Sequence, residues 1–258
     1  MGDSVDDLRE VFAQVFAKPP SAVSARVWAE VYGDEYPAEV QPYSFVSRSE
    51  LEIFVAELGV GRGSTLVDVG CGHGGPGLWV CARTESELIG VDISAPALTA
   101  SSDRARGLGL SDRASYRLGG FESLALADGE ADAIMSIDAL LFAQDKALAA
   151  RELARVVRVG GRLVLTTWDY STQPENRPPQ VSDHRPILEA AGFDVRHYEE
   201  TDRWRERQRA IDASLLSSVD ELAAEDGSDP AEVREGILDM DRTIDHMLRR
   251  ALIVAEKQ

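Results

Sequence analysis

Positive charge is what this chain has least of. Its 258 residues carry 45 acids against 27 bases, a formal net charge of −18. A phosphate backbone is repelled by such an average field, which argues against nucleic acid as the main partner. Only three of the bases are lysines and the rest are arginines, a skew that reads as codon bias more than as a functional choice. Cysteine is nearly missing as well. Cys71 and Cys81 have neither the number nor the spacing of a disulfide framework or a zinc site, so reduced structural thiols and no metal are expected. No apolar run approaches the roughly 20 residues of a membrane span. The acidic start "MGDSVDDLRE" is unlike the basic, apolar start of a signal peptide. The expectation is a cytoplasmic chain with neither a membrane nor a nucleic-acid partner; a homodimer stays open.

What is present is enough apolar content, 44%, to bury one large core with an appended cap. Val5, Leu8, Val11, Phe12, Val15 and Phe16 recur at helical spacing over 5–17, and "KPPS" ends that pattern. Further helices are expected at 22–33 and 48–58, separated by the aromatic, proline-punctuated "YGDEYPAEVQPYSFVS". Residues 1–62 therefore read as a helical preface or lid, and 63–258 as the core domain. In the core, strands are expected at 65–69, 88–92, 114–118, 132–137 and 162–167, with helices at 75–84, 95–107 and 145–158. That alternation implies a parallel sheet with right-handed crossovers. Two more strands, 193–199 and 249–256, bracket a helical insertion over 203–247 that is broken by "EDGSDP".

The stretch "LVDVGCGHGGPG", 66–77, ends a strand in an acid and then places five glycines in eight positions. Glycine there permits positive φ and lets a ligand touch the main chain. Gly70, Gly72 and Gly75 fit the dinucleotide spacing GxGxxG, and Asp92, 22 residues after Gly70, is placed to bond a ribose. By itself the loop allows the pyrophosphate of a dinucleotide or the sulfonium amino acid of S-adenosylmethionine. Three features favour the second ligand. Asp68 occupies a position that is usually apolar in dinucleotide enzymes, the motif follows a helical preface, and the chain has no room for a separate substrate domain.

With "GVDIS" and "ADAIMSIDALLFAQDKALAARELARVVRVGGRLVLTTW", this loop resembles the motifs of class I S-adenosylmethionine-dependent methyltransferases, in their small-molecule, natural-product branch. The likeness runs from about 65 to 200. It implies an α/β fold: a Rossmann-like, doubly wound seven-stranded sheet, mostly parallel with the last strand antiparallel, with an N-terminal helical preface and a helical cap. It also implies S-adenosylmethionine as cofactor and S-adenosylhomocysteine as product. Carried over by position, Gly70, Gly72 and Gly74 bracket the methionine moiety and Asp68 holds their loop. Asp92 accepts from both ribose hydroxyls, Ile93 packs on the adenine, and Ile137 offers its carbonyl to the ligand's amino group. One position departs from the pattern: Gly120 stands where the family has an aspartate that reads the adenine amine. The Phe121 N–H or the Glu122 carboxylate is left to take that role.

The same resemblance implies methyl transfer to a small, hydrophobic or aromatic metabolite. Many such enzymes carry a histidine pair after the fourth strand, whereas this sequence has Leu141 and Phe142. Asp138, just past that strand, and His184, at the start of a helix beside the expected pocket mouth, are the candidate bases. His73 reads as a spacer in the glycine loop. Trp168 stands as core or as a substrate platform. Tyr32, Tyr36, Tyr43 and Phe45 stand as an aromatic lid or as part of a helical layer that merely packs on the sheet, and Asn176 and Arg177, in the proline-rich 171–183 loop, as substrate contacts. The basic run "DRWRERQR" reads as a solvated helix face. The alternative function is a methyltransferase-like fold that binds the cofactor but catalyses a non-methylating reaction such as cyclisation; a cofactor-binding regulatory module is a third reading.

Overall fold

Three amphipathic helices come first in the computed structural model, which describes residues 5–175 and 177–258. The apolar face anticipated above forms one side of α1 (Val5–Ala17), and Pro19 and Pro20 prevent its continuation. The second helix, α2 (Ala22–Tyr32), starts on Ser21, whose hydroxyl accepts the Ser24 N–H. The third, α3 (Arg48–Glu57), opens with a reciprocal cap: Ser47 Oγ accepts the Glu50 N–H, and the Glu50 carboxylate accepts the Ser47 N–H.

The alternating part follows as β1 (Thr65–Val69), α4 (Gly75–Thr84), β2 (Glu87–Asp92), α5 (Ala95–Gly107), β3 (Ala114–Leu118), β4 (Ala131–Ile137), α6 (Lys146–Val156) and β5 (Val157–Tyr170). The chain closes with α7 (Arg185–Ala190), β6 (Phe193–Glu200), α8 (Trp204–Ser217), α9 (Val219–Asp226), α10 (Pro230–Ile244) and β7 (Met247–Lys257). All seven strands join one sheet in the order β3-β2-β1-β4-β5-β7-β6. Pairings from β3 to β5 are parallel, and β7 inserts antiparallel between β5 and β6. This is the doubly wound, mostly parallel sheet with an antiparallel last strand that the sequence implies. Strand order reverses between β1 and β4, the switch point where open α/β sheets leave a crevice at their carboxyl ends. One strand differs in length: β5 runs well past the expected 162–167 because β7 pairs with it as far as Tyr170.

Both faces of the sheet are covered, so the central strands alternate between two apolar layers. Val67, Ile134, Leu163 and Ile253 enter one layer with α6 and α7; Leu66, Met135, Val164 and Val254 enter the other with α3 and α4. A separate cluster, including Val27, Ile211, Leu215, Val219 and Ile237, joins α2 to the three helices α8–α10. Among the described residues no helix is long and apolar enough to cross a membrane. Cys71 and Cys81 are buried free thiols.

One charged residue sits between these layers. Arg250, on β7, has a side chain only 2% exposed and pairs with Glu50 Oε1 at 2.6 Å and Asp138 Oδ1 at 2.9 Å. Its second amino group donates to Asp138 Oδ2 at 3.1 Å, and Thr201 Oγ1 lies 3.2 Å away. Breaking a buried pair leaves an uncompensated charge, so Arg250→Met is expected to destabilise the fold by about 3–5 kcal/mol. A fall in the urea midpoint at unchanged slope measures it. Adding Asp138→Asn to that variant should restore part of the loss by removing one of the orphaned charges.

Candidate active site

The carboxyl ends of β1, β2, β4 and β5 open into a cavity of about 320 Å³. Its first half is built by the glycine loop. Gly70, Gly72 and Gly74 have φ of 74°, 51° and 73°, a region that favours glycine. A Cβ on Gly70 would also lie 2.4 Å from that of Ala139, so the turn after β1 passes close against the turn after β4. The loop is held from outside: the Gly70 N–H donates to Val91 O at 2.8 Å, and Ser101 Oγ donates to Gly72 O at 2.6 Å.

Asp92 ends β2 and is 6% exposed, with Oδ2 accepting the Gly72 N–H and Oδ1 the Ser94 N–H, both at 2.9 Å. Each oxygen keeps a second lone pair, and the residue lines the cavity, so the carboxylate can accept from two vicinal hydroxyls. Burial raises its pKa. Asp68 is buried beneath the loop, where a Cβ on Gly77 would fall 2.4 Å from its Oδ2. Burial, and then the neighbouring charge of Asp92, push Asp68 up to about 7, against the opposing N–H of Gly77. Two acids under one loop favour a cationic ligand.

Ile93, Gly120, Phe121 and Ile137 also line the cavity. A Cβ on Gly120 would lie 2.9 Å from Ile93 Cγ2, so the glycine lets Ile93 lie flat against the turn after β3. Glu122, the stand-in for the missing acid, lines the cavity but spends Oε1 on the N–H groups of Gln144 and Asp145. His73 packs its ring edge-on to Phe16 at 4.9 Å, and burial lowers its pKa, so it is a neutral spacer facing α1.

The second half is apolar and helical. The α1 face supplies Val5, Leu8, Val11 and Phe12, and Phe12 meets Phe142 edge-to-face at 4.9 Å. Leu141, Trp168, Tyr170, Met240 and Met247 complete this part. Arg177 also lines it and ties the 171–183 loop to α10 by donating to Asp239 Oδ2 at 2.7 Å and Thr243 Oγ1 at 3.1 Å. Asn176 lies outside the described residues. Of the aromatic lid, Tyr43 and Phe45 line the cavity; Tyr32 donates to Phe45 O at 2.8 Å from behind. Tyr36 is a correction, since it packs in the α2–α8 cluster away from the cavity, drawn there by Val27 and Ile211.

Neither candidate base keeps the environment expected of it. Asp138 lines the cavity, but Oδ1 accepts from Thr166 Oγ1 and Arg250 Nε, and Oδ2 accepts from the Phe45 N–H and the second amino group of Arg250. Its φ of 55° is held by these bonds, and both carboxylate oxygens are engaged within the protein. His184 is 1% exposed and outside the cavity lining. Its Nδ1 lies 2.8 Å from Asp169 Oδ1, in a buried cluster where Tyr198 and Arg249 also donate to Asp169. That cluster fastens α7 and β6 to β5, so His184 is drawn inward and away from the pocket mouth. The arginines of the basic run are likewise engaged: Arg203 with Glu206, Arg207 with Asp202, Arg209 with Asp241, and Arg205 with the carbonyls of Ile244 and Met247.

Sequence reasoning missed Tyr170, Gln208, Met240 and Met247 as cavity residues. Gln208 left a readable signal: it falls one turn after Trp204 on the buried face of α8, where a polar residue is out of place. The others look like ordinary core positions.

Comparison with known proteins meets this geometry independently. Residues 67–165 match the family described as "Methyltransferase domain". Methyltransferase GfsG of Streptomyces halstedii is 31% identical over 165 residues, 64% of this chain and 56% of that protein. The chain thus spans about half the length of that curated relative. Among solved structures, the [4+2]-cyclase SpnF superposes with a TM-score of 0.72 at 22% identity, covering 95% of both chains. Geranyl diphosphate C-methyltransferase from Streptomyces coelicolor A3(2), solved with S-adenosyl-L-homocysteine, superposes at 0.64 with 20% identity, covering 97% of this chain and 98% of that one. At such identities these two likenesses speak for the fold. The family match marks residues 67–165, the stretch that holds the glycine loop and Asp92, as a methyltransferase domain similar to those of these relatives.

Proposed function

We propose that this protein transfers the methyl group of S-adenosylmethionine to a small hydrophobic or aromatic acceptor. The observation that carries the reading is one continuous cavity with two chemistries: an acid-lined glycine loop at the β1–β3 end, and an apolar chamber under α1 and α10. The residues fit the cofactor. In this reading Asp92 would accept from the ribose diol, Ile93 and Phe121 would flank the adenine, and Asp68 and the Ile137 end of β4 would serve the amino-acid part; all five line the cavity.

S-adenosylmethionine supplies an electrophilic methyl on a sulfonium whose departure needs no proton. The protein's part is therefore alignment and exclusion of water. Holding donor and acceptor in line supplies up to about 7–11 kcal/mol of the barrier lowering. The α1 face and the Phe12–Phe142 contact shut the apolar chamber, and Asp138, neutralised by Arg250, fixes the Phe45 segment in place of serving as base. Methyl-labelled cofactor offered with a panel of hydroxylated aromatic molecules tests the reading, with label in the organic extract as the expected result. Cofactor binding with altered but unlabelled products would favour the non-methylating alternative, which the engaged state of Asp138 keeps in view.

Two further outcomes follow for cofactor binding. Asp92→Ala should weaken S-adenosylmethionine by about 1.5–3 kcal/mol, the range for bonds to a charged group, as read by calorimetry. Asp68 gives the pH dependence. A cationic ligand favours the ionised acid, so binding lowers its pKa and affinity rises as pH increases through about 7. Without ligand the sign is opposite: a pKa raised on folding contributes stability at low pH that is lost as pH climbs toward the folded value. The cofactor-induced rise in Tm should therefore grow with pH in the wild type and flatten in Asp68→Asn. An unchanged slope in that variant would remove Asp68 from the linkage.

A further inference from the structure

Three side chains of the apolar chamber carry buried polar atoms that find no partner among the described residues: Trp168 Nε1, Tyr170 Oη and Gln208 Oε1. Each of the three residues lines the cavity and each is 3% exposed. Their placement follows from the fold. Trp168 and Tyr170 are two apart on β5 and so share one face of the strand. Trp204 of α8 packs with both, and Gln208 lies one helical turn further along the same face. They also stand at the β5 end of the crevice, across the switch point from Gly70, Asp92 and Gly120.

An unpaired buried donor or acceptor costs about 1–3 kcal/mol, and native proteins keep few of them. Other polar groups of the chamber are paired internally: Asp138 with Arg250, and Arg177 with Asp239 and Thr243. Among the described residues that line the cavity, the buried unpaired side-chain atoms are these three, on one β5–α8 corner; the others, such as His184 Nε2 and the Asp212 carboxylate, belong to residues outside the lining. The chemistry of the three is mixed. Indole N–H only donates, the amide oxygen only accepts, and the phenol does either. Burial raises the pKa of Tyr170, so it stays a protonated phenol.

We propose that Trp168, Tyr170 and Gln208 form a polar subsite that selects acceptors bearing a hydroxyl group on a hydrophobic body. A hydroxyl oxygen accepts from the indole and its proton goes to the amide oxygen, so one small group satisfies both obligate partners. A ketone leaves the Gln208 oxygen unpaired, and a hydrocarbon leaves all three so. This assignment rests on the cavity being the cofactor-and-acceptor site proposed above and narrows its substrate class.

Matched probes test it by equilibrium dialysis, on protein saturated with S-adenosylhomocysteine and on cofactor-free protein. The pairs are phenol with benzene, 2-naphthol with naphthalene, 4-phenylphenol with biphenyl, and 2-tetralol with its ketone, 2-tetralone. The hydroxyl member should bind about tenfold or more tightly in at least one pair. Gln208→Leu and Tyr170→Phe, both close to isosteric, should each shrink that ratio toward unity while leaving S-adenosylhomocysteine affinity within about twofold, which also reports that they fold. Equal binding within every pair, tighter binding of the ketone, a ratio that survives both substitutions, or no binding by any probe would each overturn the subsite. Wild-type protein that fails to bind S-adenosylhomocysteine yet prefers the alcohols would overturn the methyltransferase reading and leave the subsite standing.

Discussion

Arg250 is the point on which the arrangement of this molecule depends. It sits on the strand that breaks the parallel order of the sheet, and its guanidinium reaches two acids far off in sequence, Glu50 200 residues and Asp138 112 residues away. Glu50 already caps α3, and Asp138 already holds the Phe45 N–H and the Thr166 hydroxyl. One planar cation thereby ties the preface to the turn after β4 and to the antiparallel end of the sheet. Lysine could not serve in this way, because two carboxylates are bonded through three different nitrogens in fixed geometry. The unusual backbone of Asp138 is the local consequence: a left-handed conformation in a residue other than glycine persists where the surroundings over-determine it.

The same pairing sets the electrostatics of the cavity. Asp138 reaches its wall already bonded to an arginine that it shares with Glu50, so the acceptor half gains order from a carboxylate whose charge is partly offset. The acids that remain to attract a cation, Asp68 and Asp92, lie under the glycine loop. Charge and apolar surface are thus separated along one cavity, and the boundary falls where the strand order reverses. Such a layout suits a reaction between a charged donor and an uncharged acceptor. In the proposed reaction fixed acids and backbone N–H groups would hold the donor, while Phe12, Phe142 and Met247, which line the cavity, would strip the acceptor of water.

Most of the fold was legible because it is locally encoded. The α1 pattern and the run of short β-rich segments each declare themselves within about ten residues, and the structure keeps nearly the expected boundaries. The excess length of β5 was not legible, since it depends on how far β7, some 80 residues later, continues to pair. The cofactor half was equally open to reading. Spacing singles out Gly70, Gly72 and Asp92, and the family resemblance adds Gly74; all three glycines take the positive φ that their turn requires.

The acceptor half failed to show itself for a physical reason. Its walls come from α1, the turn after β4, β5, α8 and α10, elements that meet only after the whole sheet has formed. A histidine or an acid in such a region looks catalytic from sequence, yet Asp138 and His184 are both absorbed by structural pairs with Arg250 and Asp169 that no local pattern announces. Aromatic residues mislead in the same way: Tyr36 and Tyr43 look alike in sequence, but packing against α8 claims the first and leaves the second at the cavity. What does survive as a sequence signal is inconsistency. Gln208 follows Trp204 on the buried face of α8, and burying an amide oxygen without a partner is a cost that packing alone gives no reason to accept.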